Sequence, residues 1–101
     1  MSDNRTIEIQ RRFLYEVLAS LDTPKKVESF LADLCTDNEI DYMAQRNECA
    51  RLLLEGYTYQ QVVGRVNISS ATLSRISRCV KRGNGGYNIL LAKILEDKKD
   101  D

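Results

Sequence analysis

Ile9, Phe13, Val17 and Leu21 stand four residues apart, with Leu14 and Leu18 beside them. That spacing lays a wide apolar stripe along one helix over about residues 5–21. The stripe suits an intramolecular core or a dimer interface equally well. Asp22-Thr23-Pro24 breaks the chain. Thr23 as N-cap and Pro24 in the first turn then start a second helix, about 24–35, with Val27, Phe30, Leu31 and Leu34 inward. Thr36-Asp37-Asn38-Glu39 reads as a capping box that opens a long helix to about Glu55. This helix has the weakest pattern. Ile40, Met43, Ala44, Ala50, Leu53 and Leu54 are interrupted by Asn47 and Cys49, as suits a helix packed between partners. Gly56 has the chemistry to end it.

The next stretch, TYQQVVGRVNISSATLSRISR from 58 to 78, is the most informative. Thr58 and Gln61 form a second capping box. Val62 and Val66 lie one helical turn apart, toward the interior. Asn67 stands where the chain must turn, and Asn accepts positive φ better than most residues, so a left-handed turn is expected there. Ile68 is an apolar plug, Ser69 an N-cap, and Leu73 and Ile76 form an inward face. Ser70, Ala71, Ser74, Arg75 and Arg78 then face outward. The result is a helix-turn-helix over about 58–82. Lys81 to Gly86 is a basic helix end followed by a glycine-rich turn without the spacing of a phosphate-binding loop. A last helix, about 87–96, carries Ile89, Leu90, Ile94 and Leu95. Residues 1–4 and the charged tail EDKKDD are expected to be frayed. Six helices and no alternating strand pattern make the chain all-α.

Charge separates a nucleic-acid reader from an ordinary helical hairpin. From Gly56 to Leu95 there is no Asp or Glu, but Arg65, Arg75, Arg78, Lys81, Arg82 and Lys93 are present. This segment carries +6 within a chain of zero net charge, so the remainder carries −6. A neutral protein binds DNA when its positive charge gathers on one face. Ser69, Ser70, Ala71, Ser74, Arg75, Arg78, Lys81 and Arg82 are therefore the candidate DNA contacts. The small residues allow close approach, Arg75 and Arg78 take bases or phosphates, and Lys81 and Arg82 hold the backbone.

Length and composition narrow the rest. At 101 residues with 43% hydrophobic content, one domain, 1–101, is expected, with stability aided by dimerisation. No apolar run spans a membrane and no signal segment opens the chain, so a cytoplasmic protein without membrane association is expected. Cys35, Cys49 and Cys79 are scattered and the chain has no His, so reduced thiols are expected, with no metal site and no cofactor. Without His the commonest general base is missing, and no paired carboxylates or activated nucleophile suggest an enzyme.

From about residue 30 to 96 the chain resembles the Trp repressor family, and within it the Trp-repressor-like YerC/YecD group. LCTDNEIDYMAQR, LLLEGYTYQQVV, SSATLSRISRCVK and a closing helix after a glycine-rich turn carry the likeness, with about one residue deleted near the turn. The resemblance implies an intertwined homodimer. Dimerisation helices at about 5–55 and 87–96 would share one core, and two helix-turn-helix heads would enter successive major grooves of double-stranded DNA at a near-palindromic operator. It also implies an effector pocket. Thr36, Arg46 and Arg75 stand where the family holds tryptophan, but Ile76 replaces a glycine and Cys79 a serine. A branched side chain fills an indole pocket, so tryptophan is not the expected effector. Any small-molecule co-repressor is left unnamed. Arg46 is equally suited to a surface ion pair with an acid such as Glu39.

The reading is a sequence-specific, dimeric transcriptional regulator, in keeping with a repressor. The alternative is a helical protein-interaction module that reuses the helix-turn-helix scaffold.

Overall fold

The structure is a computed structural model that describes residues 3–99. It is all-α, with no strand among the described residues. The helices are α1 (Asn4–Ala19), α2 (Pro24–Leu34), α3 (Asp37–Leu54), α4 (Tyr59–Arg65), α5 (Ser70–Arg82) and α6 (Ala92–Lys99), the last entered through a π-helical turn, Tyr87–Leu91. No helix is long and apolar enough to cross a membrane. The chain divides into two compact units, residues 1–37 and 38–101.

In the first unit, local chemistry fixes the helix ends. Asp3 caps α1 by accepting the Thr6 N–H at 2.8 Å, a cap not anticipated from the sequence, and Asn4 is already helical. The Thr6 hydrogen bonds hold the Asp3 carboxyl below its ordinary pKa. Thr23 caps α2 through the Lys26 N–H, with Pro24 in the first turn as expected. Neither α1 nor α2 has a buried residue. The stripe on α1 is divided: Leu14 and Val17 are half-buried, whereas Ile9 and Phe13 are 61% and 66% exposed.

The second unit has a closed core. Cys49, Ala50 and Leu52 from α3, Val62 from α4, and Leu73 and Ile76 from α5 are buried together. Leu53, Tyr57, Val66, Ile68, Val80, Tyr87 and Leu91 pack around them. Cys49 is thus part of the core and not an interruption of it. Its small side chain is fully enclosed there. Burial, assisted by the neighbouring Glu48 charge, raises its pKa and keeps it protonated.

Gly56 ends α3 with φ +97, a conformation that side-chain-bearing residues rarely adopt. The Tyr57 N–H reaches the Leu52 carbonyl and the Gly56 N–H the Leu53 carbonyl, at 3.0 and 3.1 Å. This paired closure, with Tyr57 folded onto the core, turns the chain sharply into α4. At the other end, the charged tail is helical through Lys99, in place of the fraying expected from Glu96 onward. The first two and last two residues lie outside the described residues.

Candidate nucleic-acid interface

α4 and α5 are each started by their own side chains. Thr58 and Gln61 make the full reciprocal box: the Thr58 hydroxyl accepts the Gln61 N–H at 3.2 Å, and the Gln61 side chain accepts the Thr58 N–H at 2.8 Å. Ser69 accepts the Thr72 N–H at 3.2 Å and caps α5.

The turn between them differs from expectation. Asn67 does not adopt positive φ, and among the described residues only Gly56 and Gly85 do. The chain leaves α4 through Val66 in extended conformation, φ −125 and ψ 131, and stays non-helical through Ser69. The connection, extended at Val66 and again at Ser69, needs no left-handed residue. Val66 and Ile68 follow it down onto the core.

One contact ties the two helices across this turn. The Tyr59 phenol donates to the Ser70 carbonyl at 2.9 Å and lies 3.2 Å from Ser74 Oγ. Tyr59 was not identified from the sequence. The available signal was an aromatic hydroxyl in the first turn of α4 with hydroxyl residues 11 and 15 positions later, a separation that helical periodicity does not connect.

The candidate DNA contacts lie on α5 and its approach. Ser69, Ser70, Ala71, Ser74, Arg75, Arg78, Lys81 and Arg82 are all exposed. Leu73 and Ile76, on the opposite side of the helix, are buried. Arg75, Arg78, Lys81 and Arg82 line one open groove of about 380 Å³ together with Cys79 and Gly83, with no acid among its lining residues. Lys81 and Arg82 also oppose the negative end of the α5 dipole. Arg65 lies elsewhere, with its guanidinium 4.5 Å from the centre of the Tyr57 ring.

Four of the candidate effector residues, Arg46, Arg75, Ile76 and Cys79, lie in the second unit. Arg75 and Cys79 line the basic groove. Arg46 lines another, of about 240 Å³, with Tyr42, Gln45, Asn67, Ile68, Ser69 and Thr72. Ile76 is 3% exposed and belongs to the core, and Thr36 directly precedes α3 in the other unit. Ion pairs join Lys26 to Asp22, and Arg51 to both Glu48 and Glu55. Arg51 bridges Glu48 on its own helix and Glu55 just past the helix end. The hydrogen bond from Arg51 lowers the pKa of Glu48, and that of Arg51 is raised in return. No group of three or more His, Cys, Asp or Glu among the described residues is placed to hold a metal.

Known proteins share this arrangement. The family described as Trp repressor protein matches residues 10–95. The uncharacterized protein YerC of Bacillus subtilis (strain 168) is 39% identical over 87 residues, which span 86% of this chain and 84% of YerC. A crystal structure of a proposed Trp repressor from Staphylococcus aureus superposes with a TM-score of 0.79 at 31% identity, covering 85% of this chain and 86% of the other. A TrpR-like protein from Eubacterium eligens ATCC 27750 gives 0.75 at 34% identity, covering 82% and 86%.

Proposed function

The chain belongs to the Trp repressor family, a family of transcription regulators and not of enzymes, and on that premise we propose that it is a sequence-specific DNA-binding regulator that acts as a homodimer on a near-palindromic operator. The observation that carries this is the outer face of α5. Four cations line one acid-free groove there, beside a start of the helix made only of small side chains. Arginines with close-approaching neighbours suit guanine edges and phosphates, and lysines suit the backbone.

Dimerisation is supported by what a single chain leaves uncovered. Ile9 and Phe13 on α1, and Ile89, Leu90 and Ile94 at the C-terminal end, are each half or more exposed. Apolar side chains in that number, left in water, favour a second copy that covers them.

The regulator is read as independent of tryptophan. Ile76 is enclosed by the core, and Arg46 and Arg75 line separate grooves. Both observations support an ungated reading.

The test is selection of bound fragments from genomic DNA by the purified protein with no small molecule added. An enriched near-palindrome is the expected outcome. Enrichment only after amino acids are added would restore a gated regulator. No enrichment in either case would favour the protein-interaction reading. Titration calorimetry showing micromolar tryptophan binding would defeat the ungated reading.

A further inference from the structure

The protons on the hydroxyls around the start of α5 can be counted one by one. A phenol carries one proton, and that of Tyr59 goes to the Ser70 carbonyl at 2.9 Å. Ser74 Oγ lies 3.2 Å from the same phenolic oxygen. With the phenolic proton already committed, the proton in this second contact comes from Ser74. A helical serine ordinarily donates to the carbonyl four residues back. For Ser74 that carbonyl is Ser70, where Tyr59 is already bound. With that assignment Ser74, which is exposed, offers lone pairs outward while its proton is directed to Tyr59.

We propose that Ser74 is an acceptor-only reader of the DNA major groove, and that Tyr59 is the positioning residue that makes it so. The inference rests on the DNA-reading function proposed above. In the major groove the amino groups of adenine and cytosine donate, whereas guanine N7 and O6 and thymine O4 accept. Phosphate oxygens also only accept. Ser74 with its proton turned inward therefore pairs with the amino group of adenine or cytosine, and meets guanine, thymine and phosphate lone pair to lone pair.

The neighbouring hydroxyls divide the work. Ser69 donates to Thr72 Oγ1 at 2.8 Å and accepts the Thr72 N–H, so it too has no proton left. Thr72 receives that proton and keeps its own, and no hydrogen bond holds the Ser70 hydroxyl. Ser70 and Thr72 are the hydroxyls of this turn that suit phosphate.

The experiment uses the full chain as wild type, Tyr59→Phe and Ser74→Ala, each selected on randomised duplex DNA. The base pair at which Ser74→Ala loses preference is the one that Ser74 reads. At that pair, deleting the amino group (purine for adenine, or 2-pyrimidinone for cytosine) is expected to weaken wild-type binding about five-fold and to leave Ser74→Ala unchanged. Reversing the base pair is expected to cost wild type a similar factor, falling to about two-fold or less in Tyr59→Phe, because Ser74, no longer held by Tyr59, can turn its proton from the vacated Ser70 carbonyl to an acceptor on the base. Preferences at other positions stay as they were.

Loss on deleting the acceptor instead of the amino group overturns the proposal. So does an unchanged pattern in Tyr59→Phe, or no position that depends on Ser74. Loss of preference at every position in Tyr59→Phe, with a lowered melting temperature, would make Tyr59 a structural residue of the head and also overturn it. A wild-type protein that enriches no sequence would remove the DNA-reading function itself.

Discussion

The two units of this chain bury their apolar residues very differently. In residues 38–101, Val62 and Leu73 are fully enclosed within one chain. In residues 1–37, two helices with regular apolar patterns enclose nothing, and Phe13 is 66% exposed. Periodicity is stronger in α1 and α2, which enclose nothing, than in α3, which supplies half of the buried residues. An amphipathic stripe shows that a helix has a side to hide but not which molecule hides it. The core of the second unit closes within one chain, whereas α1 and α2, with the exposed Ile89, Leu90 and Ile94 of the C-terminal end, are read as completed by a second chain.

Breaking the head should have the largest effect. Leu73→Ala removes a fully buried side chain from a small core and is expected to cost about 2–5 kcal/mol, measured by denaturant unfolding. A cost below about 1 kcal/mol would show that the head does not depend on its closed core. Next is the uncovered stripe. Phe13→Glu is expected to weaken self-association at least about a hundredfold, or ~2.7 kcal/mol, in sedimentation equilibrium. An unchanged association state would leave Phe13 a solvated side chain and remove the contrast as drawn. Within the head, Arg75→Ala should cost about 1–3 kcal/mol on the preferred sequence and little on random DNA, while Lys81→Ala weakens both and lowers the salt slope by about one. Equal losses on both DNAs for Arg75→Ala would deny it a base-reading role.

The smaller effects concern how the head is held together. Thr58→Ala removes a reciprocal cap and is expected to destabilise by about 1 kcal/mol, seen as a shifted unfolding midpoint. Last is the Glu48–Arg51 pair. The pKa of Glu48 is depressed by folding, so its contribution is complete above its ordinary value of 4.5 and is lost as pH falls below it. Because the pair is substantially exposed, the effect is expected to stay under about 0.5 kcal/mol. Comparing the melting of wild type and Glu48→Gln at pH 6 and pH 3 checks it: the gap should close at pH 3.

What the sequence revealed follows the range of the interaction. Thr23, Thr58, Ser69 and Gly56 were legible because each cap involves residues within a few positions of one another. The outward face of α5 was legible because an acid-free basic segment and a 3.6-residue repeat coincide there. The Asn67 turn was not. Preference for positive φ is a property of the residue, but here two apolar neighbours drawn to the core set the path. The inward face of α3 was obscured for a related reason. Cys49, read as an interruption, is small, and it matters by where it fits and not by how apolar it is. The π-helical turn at Tyr87–Leu91 follows Gly85, whose φ of +91 no hydrophobic pattern announces. Tyr59 joins residues that only the folded turn brings together.

The three cysteines lie at different depths, Cys49 enclosed and Cys35 and Cys79 half-buried. A thiol reagent therefore meets three different doors in the unaltered protein. Cys49 reacts only when the head swings open, so its labelling rate times the rare global excursion. Cys79, on the same helix as the basic groove, should be slowed when DNA lies across that helix, while Cys35 reports on the other unit. One labelling time course, read residue by residue, gives the separate lifetimes of the two halves of the chain.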